Sequence, residues 1–195
     1  MSIGRTYDPN KRLQSQRVPV LTSRFPILFP GLQQALLLKT RTSPETANSQ
    51  LIHHKLCNRP KGIDIVLAPE YAIQGRKGPL EEEDLEELTR IYTKSSRGVG
   101  LFIPGTIVWS DGKHLYNTAL VFSDGQYLGR HDKTPDMGDE VLAKKSKKPR
   151  LIAAAAEKLH RFTVKGVKIG LEICSENGTL QELGTKNLDL GILLM

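Results

Sequence analysis

Residues 63–70 read Ile63-Asp64-Ile65-Val66-Leu67-Ala68-Pro69-Glu70, and this stretch decides the fold. The β-branched and apolar run is the composition of a strand buried on both faces, and Pro69 stops it. A strand of that kind needs cover on each side. Upstream, Ser43-Pro44-Glu45 offers an N-cap with proline at the first helical position. This predicts a helix from Ala47 to about Leu56, closed by Asn58-Arg59-Pro60-Lys61-Gly62. Downstream, residues 79–93 open with Glu81, Glu82, Glu83 and Asp84, which suit the positive end of a helix dipole. Leu85, Leu88 and Tyr92 follow at helical spacing.

Further out, Ala35–Leu38 reads as a second buried strand and residues 100–109 as a third. Asp111-Gly112 and Ser123-Asp124-Gly125 are hairpin turns around a strand at 116–122, and 127–131 continues the meander. Phe162–Val164 and Val167–Ile173 form another hairpin across Lys165-Gly166. A helix is predicted over 177–186 and an apolar strand over 188–195. Residues 1–30, interrupted by Pro19, Pro26 and Pro30, read as an irregular arm with one short extended piece. Residues 31–195 read as one mixed α/β domain, a sheet covered by helices.

The chain has 195 residues, which allows one domain and a core that needs no staples. Its apolar runs are far short of the roughly 18–20 residues of a spanning helix, which excludes a membrane role. Two cysteines, Cys57 and Cys174, make no disulfide framework, so the expected setting is reducing and cytoplasmic. The net charge of +7 is mostly local: residues 141–150 hold Lys144, Lys145, Lys147, Lys148 and Arg150 and no acid. That run reads as a solvated loop. With no aromatic residues interleaved, it does not suggest a surface for nucleic acid. The five histidines lack metal-ligand spacing with Cys or acids, and no phosphate-binding glycine loop is present. Neither a metal nor another cofactor is expected.

Three residues carry candidate chemistry. Cys174 ends the apolar run Lys168-Ile169-Gly170-Leu171-Glu172-Ile173 and precedes the polar Ser175-Glu176-Asn177-Gly178. A thiol at such a strand-to-helix turn is exposed, near amides able to stabilise negative charge. Glu70 follows a buried strand, where desolvation favours a general base working near neutral pH. Lys133 follows the meander strand, where its ammonium can face a developing oxyanion. Each lies at the C-terminal end of a separate predicted strand, where open sheets place ligands. The competing readings are a buried inert cysteine, a helix N-cap or ordinary surface acid, and an ordinary surface lysine.

These segments resemble the nitrilase superfamily, the carbon–nitrogen hydrolases. Leu67-Ala68-Pro69-Glu70-Tyr71 resembles the family's strand ending in Pro-Glu. Tyr116-Asn117-Thr118-Ala119 and Gly129-Arg130-His131-Asp132-Lys133-Thr134 resemble the hairpin leading to its lysine. Gly170-Leu171-Glu172-Ile173-Cys174 resembles its nucleophile strand, and Pro104-Gly105-Thr106 the strand after its second helix. The resemblance implies a four-layer α-β-β-α sandwich, incomplete at the C-terminal side, where relatives continue with further sheet and helix. It implies a Glu70–Lys133–Cys174 triad working through a thioester on a small amide, carbamoyl or nitrile. Glu140 would be the substrate-positioning carboxylate, with Asp139 as its rival. It also implies a homo-oligomer. Glu176 stands where relatives often carry aspartate. The alternative is a catalytically silent module that keeps this scaffold to bind a partner. A polyanion-binding role for Lys144–Lys148 is a third.

Overall fold

The computed structural model of the chain describes residues 21–24, 34–38, 47–75, 78–145, 151–183 and 187–195. Among them a large sheet runs in the order β1 (Leu21–Arg24), β2 (Gln34–Leu37), β3 (Ile65–Leu67), β5 (Leu101–Ile103), β7 (His114–Ser123), β6 (Thr106–Ser110) and β4 (Leu80–Glu81). β7 is the spine. Its Thr118 opposes Ile107 of β6 on one edge and Asp132 of β8 (Gln126–Asp132) on the other. β9 (Ile152–Ala153) pairs beside β8 along that second edge. A smaller sheet holds β10 (Arg161–Val164), β11 (Val167–Ile173) and β12 (Leu190–Leu194). β10 and β11 are antiparallel, whereas β11 and β12 are parallel.

Alternation along each strand builds the layers. Val66, Phe102, Leu120 and Phe122 point to one face, where Ile52 and Leu56 of α1 (Ala47–Cys57) and Leu85 and Tyr92 of α2 (Glu82–Ser95) cover them. Tyr92 meets Phe102 edge-on, with ring centroids 5.3 Å apart. Their neighbours Ile65, Leu101, Ile103 and Val121 point the other way, onto Ile169, Leu171 and Ile173 of the smaller sheet. On the outer face of that sheet lies α4 (Thr179–Glu182), a single turn whose Leu180 packs against Gly170. The architecture is therefore an α-β-β-α sandwich whose last layer is slight. α3 (Met137–Lys145) lies beside the smaller sheet on the same face of the large one, where Ala143 packs with Val108, Leu115 and Leu151.

Four expectations need correction. The strand over 100–109 divides at Pro104-Gly105 into β5 and β6. The helix over 79–93 starts at Glu82, because Leu80 and Glu81 pair with Trp109 and Ser110. Of the helix over 177–186, one turn forms before residues 184–186, which lie outside the described residues. Val141–Lys145 are helical rather than loop; residues 146–150 lie outside the described set. So do the Ser43–Glu45 cap and the arm's residues 1–20 and 25–30. Within the arm, 21–24 is the edge strand β1. Among the described residues no helix is long and apolar enough to cross a membrane.

Candidate active site

The site lies in the seam between α3 and the smaller sheet. Glu70 sits in a turn pinned by its neighbours. Ala68 donates its N–H to the Ile103 carbonyl at 3.0 Å, and Thr106 donates to the Pro69 carbonyl at 3.2 Å. Tyr71, with a left-handed φ of 53°, donates its N–H to Thr106 Oγ1 at 2.7 Å. Glu70's own N–H reaches the Met195 carbonyl at 3.3 Å, just past β12. Gly105 makes the close approach possible: a Cβ there would lie 2.1 Å from the Pro69 carbonyl oxygen and 2.7 Å from Ala72 Cβ. Lys133 follows β8, and its N–H donates to the Asn117 carbonyl of β7 at 2.8 Å. Alternation along β7 aims Asn117 into the seam with Leu115 and Ala119. Cys174 leaves β11 with φ of 45°, a conformation costly for a residue with a Cβ. A 3-10 turn, Cys174–Glu176, follows, and the Cys174 side chain is exposed.

The Lys133 ammonium is the centre. It donates to Glu70 Oε1 at 2.8 Å and Asp136 Oδ2 at 2.7 Å, and lies 3.3 Å from Asp139 Oδ2. The Tyr71 ring stands 5.6 Å from it, and the Tyr71 hydroxyl donates to Asp139 Oδ1 at 2.9 Å. Asn117 Nδ2 donates to Glu70 Oε1 at 3.0 Å and to Asp139 Oδ1 at 3.2 Å. The Cys174 thiol lies near enough to the Glu70 carboxylate to feel its charge. Burial, then the Glu70 charge, push the thiol up from its ordinary value. Burial would lower the Lys133 ammonium, yet its bonds to Asp136 and Glu70 and the Asp139 charge outweigh burial and hold it well above the lysine range. Asp136 is moved the opposite way: burial opposes ionisation, but the Lys133 bond, the Asp139 amide and Ser175 hold it low.

Glu176 clasps the walls together. One oxygen accepts from the Thr134 N–H at 2.8 Å, the Thr134 hydroxyl at 2.9 Å and the Lys158 ammonium at 3.0 Å. The other accepts from the Ile173 N–H at 3.1 Å and lies 2.7 Å from His131 Nε2. The residue after Lys133 and the residue before Cys174 thus share one buried carboxylate. Burial opposes its charge, but these donors hold it well below the ordinary glutamate range.

The profile of the carbon–nitrogen hydrolases matches residues 33–183. The chain belongs to the carbon–nitrogen hydrolase family. Solved structures show the same fold. The chain superposes on a glutamine-dependent NAD+ synthetase from Acinetobacter baumannii, in complex with ADP, with a TM-score of 0.59 at 20% identity, over 80% of this chain and 30% of that one. It superposes on a CN-hydrolase superfamily protein from Xanthomonas campestris, with an arsenic adduct in its active site, with a TM-score of 0.56 at 18% identity, over 80% and 61%. A glutamine-dependent NAD(+) synthetase from Cytophaga hutchinsonii gives 0.51 at 15% identity, over 72% and 27%. The chain therefore spans less than two thirds of each of these structures. No curated protein matches.

Within this carbon–nitrogen hydrolase scaffold the structure brings Glu70, Lys133 and Cys174 together. It does not bring Glu140, whose exposed carboxylate lies 3.8 Å from Lys144 across one helical turn. Asp139, one residue earlier, is buried and faces Lys133. The reason is local. Asp136 caps α3, accepting the Gly138 and Asp139 N–H groups at 2.8 and 3.1 Å, while Asp139 Oδ2 accepts the Asp136 N–H at 3.2 Å. This reciprocal box turns residue 139 inward and residue 140 outward. Asp136 was not singled out from the sequence, and Asn117 stood there only as part of the Tyr116–Ala119 motif, with no role of its own. The Asp136-x-x-Asp139 spacing was the available signal for the first. Among the described residues no group of three His, Cys, Asp or Glu is placed to hold a metal.

Proposed function

We propose that the chain is a cysteine-dependent hydrolase of non-peptide C–N bonds, acting on a small amide, carbamoyl or nitrile. The observation that carries this reading is one carboxylate, Glu70, that accepts from the Lys133 ammonium at 2.8 Å and whose charge acts on the Cys174 thiol. For an amide, Glu70 takes the thiol proton as sulfur bonds to the carbonyl carbon, and the oxyanion forms beside Lys133. Collapse breaks the C–N bond, and the Glu70 carboxyl returns its proton to the leaving nitrogen. Water then loses a proton to Glu70 and attacks the thioester; the C–S bond breaks and the thiol is restored. A thiol held above its ordinary value stays protonated until the base acts, which suits this order. Asp139, rather than Glu140, is the second carboxylate, holding Lys133 and Asn117 for the substrate. A reducing, cytoplasmic setting is supported by Cys57 and Cys174 being free, and self-association by the family resemblance.

The test is ammonia release from a panel of small amides together with mass spectrometry of the protein. Expected are turnover abolished in Cys174→Ala and an acyl adduct on Cys174 that hydroxylamine removes. Turnover unaffected by Cys174→Ala overturns the assignment. No turnover and no adduct across the panel supports a silent scaffold.

A further inference from the structure

We propose that the site takes amides that carry a positive charge, an ammonium or guanidinium group close to the scissile carbonyl, and that Asp136 receives it. This rests on the hydrolase reading above and names its substrate class.

The first argument is a count of donors. A lysine ammonium has three N–H bonds. It donates two of them to Glu70 and Asp136, at 2.8 and 2.7 Å, and Asp139 Oδ2 stands 3.3 Å away. An oxyanion beside Lys133 must share this ammonium with the carboxylates already around it. The Glu70 and Asp139 side chains are 6% and 3% exposed, whereas that of Asp136 is 29% exposed. Asp136 is the one a ligand can reach. It stays in place without the ammonium, because the Gly138 and Asp139 amides hold its other oxygen. A substrate oxygen that draws on the ammonium therefore loosens its hold on an ionised carboxylate that faces the substrate, and an unpaired charge in a partly dry site is costly.

The second argument is charge. Three carboxylates surround one ammonium. The cations behind them are already engaged: Lys158 by Glu176 at 3.0 Å, and Arg130 by Glu157 at 3.2 Å and Asp132 at 3.6 Å. The excess of negative charge stays at the site. The third is Asn117. Both its N–H bonds go to carboxylates, Glu70 and Asp139, which fixes the orientation of its amide. Its Oδ1 is buried and has no partner among the described residues. The site is rich in acceptors and short of donors, so the ligand must bring donors and positive charge.

The test uses three methanethiosulfonates of one chemistry: the trimethylammonioethyl cation, the neutral methyl reagent and the sulfonatoethyl anion. Each forms a mixed disulfide with Cys174 and releases methanesulfinate. Rates at Cys174 are read by peptide mass mapping and divided by each reagent's rate with free 2-mercaptoethanol. At low salt the cation should outpace the anion by about tenfold or more, and 0.5 M salt should shrink that ratio. Asp136→Asn should cut the ratio several-fold. Asp136→Ser, which keeps a capping oxygen, should do the same, so a weakened α3 cannot account for the result. Labelling of Cys174 without charge preference, or a preference that both variants retain, overturns the inference and leaves the hydrolase reading standing. A Cys174 that reacts with none of the three overturns both.

Discussion

Cys174 and Glu70 are coupled in a way that separates two measurements normally expected to move together. The Glu70 charge helps hold the thiol up. In Glu70→Gln that contribution is gone while Lys133 remains, so more thiolate exists at a given pH. Simple alkylation of Cys174 at pH 7–8 should therefore quicken, several-fold, while amide turnover falls by two orders of magnitude or more, the usual scale of a lost general base. A parallel fall in both rates would contradict this division of roles. The same shift means that Cys174 need not outrun Cys57 at neutral pH, and its rate should climb through the alkaline range. Glu176 gives a second test. Its folded carboxyl lies below its unfolded value of about 4.3, so its stabilisation is full above that value and is lost as pH falls below it. Glu176→Gln should cost about 2–4 kcal/mol at neutral pH and flatten the acid limb of a denaturation series. At this scale Glu70, Lys133 and Cys174 were legible because each ends a strand in a recognisable motif. Asp136 and Asn117 were not, because their roles depend on hydrogen bonds between segments far apart in the chain.

Turns rather than strands set the positions of these groups. Gly105 has φ of 81° and sits against the Pro69 and Ala72 backbone turn. Gly105→Ala should cost at least about 2 kcal/mol by denaturant titration and lower turnover as well, because the turn it pushes carries Glu70. Gly170→Ala meets only the tips of Leu188 and Leu180, at 2.4 and 2.5 Å, which can rotate aside. It should cost about 1 kcal/mol with turnover kept. Equal effects of the two would mean that the Pro69–Ala72 turn is not the constraint. Elements with strong periodicity, such as α2 and the hairpins, were readable from sequence. α3 was hidden because Gly138 and the lysine run mask its pattern, and only the Asp136–Asp139 box announces it. β4 is two residues long and exists by pairing with β6, a contact no local pattern encodes.

In the whole molecule the two sheets meet through Ile65, Leu101 and Ile103 on one side and Ile169, Leu171 and Ile173 on the other. Leu171→Ala should cost about 2–5 kcal/mol, measured by thermal unfolding. A sheet covered by helices was legible from the apolar runs; the second sheet layer came only with the family resemblance, and which helix lies beside the smaller sheet was not legible. The seam has a consequence of its own. Acid and ammonium ride on one slab, the sulfur on another, and Glu176 is the rivet between them. Mild loosening of that joint would part the reagents while every strand stayed intact. Dilute denaturant should thus silence the chemistry well before circular dichroism registers any loss, making turnover a gauge of how tightly the slabs are docked.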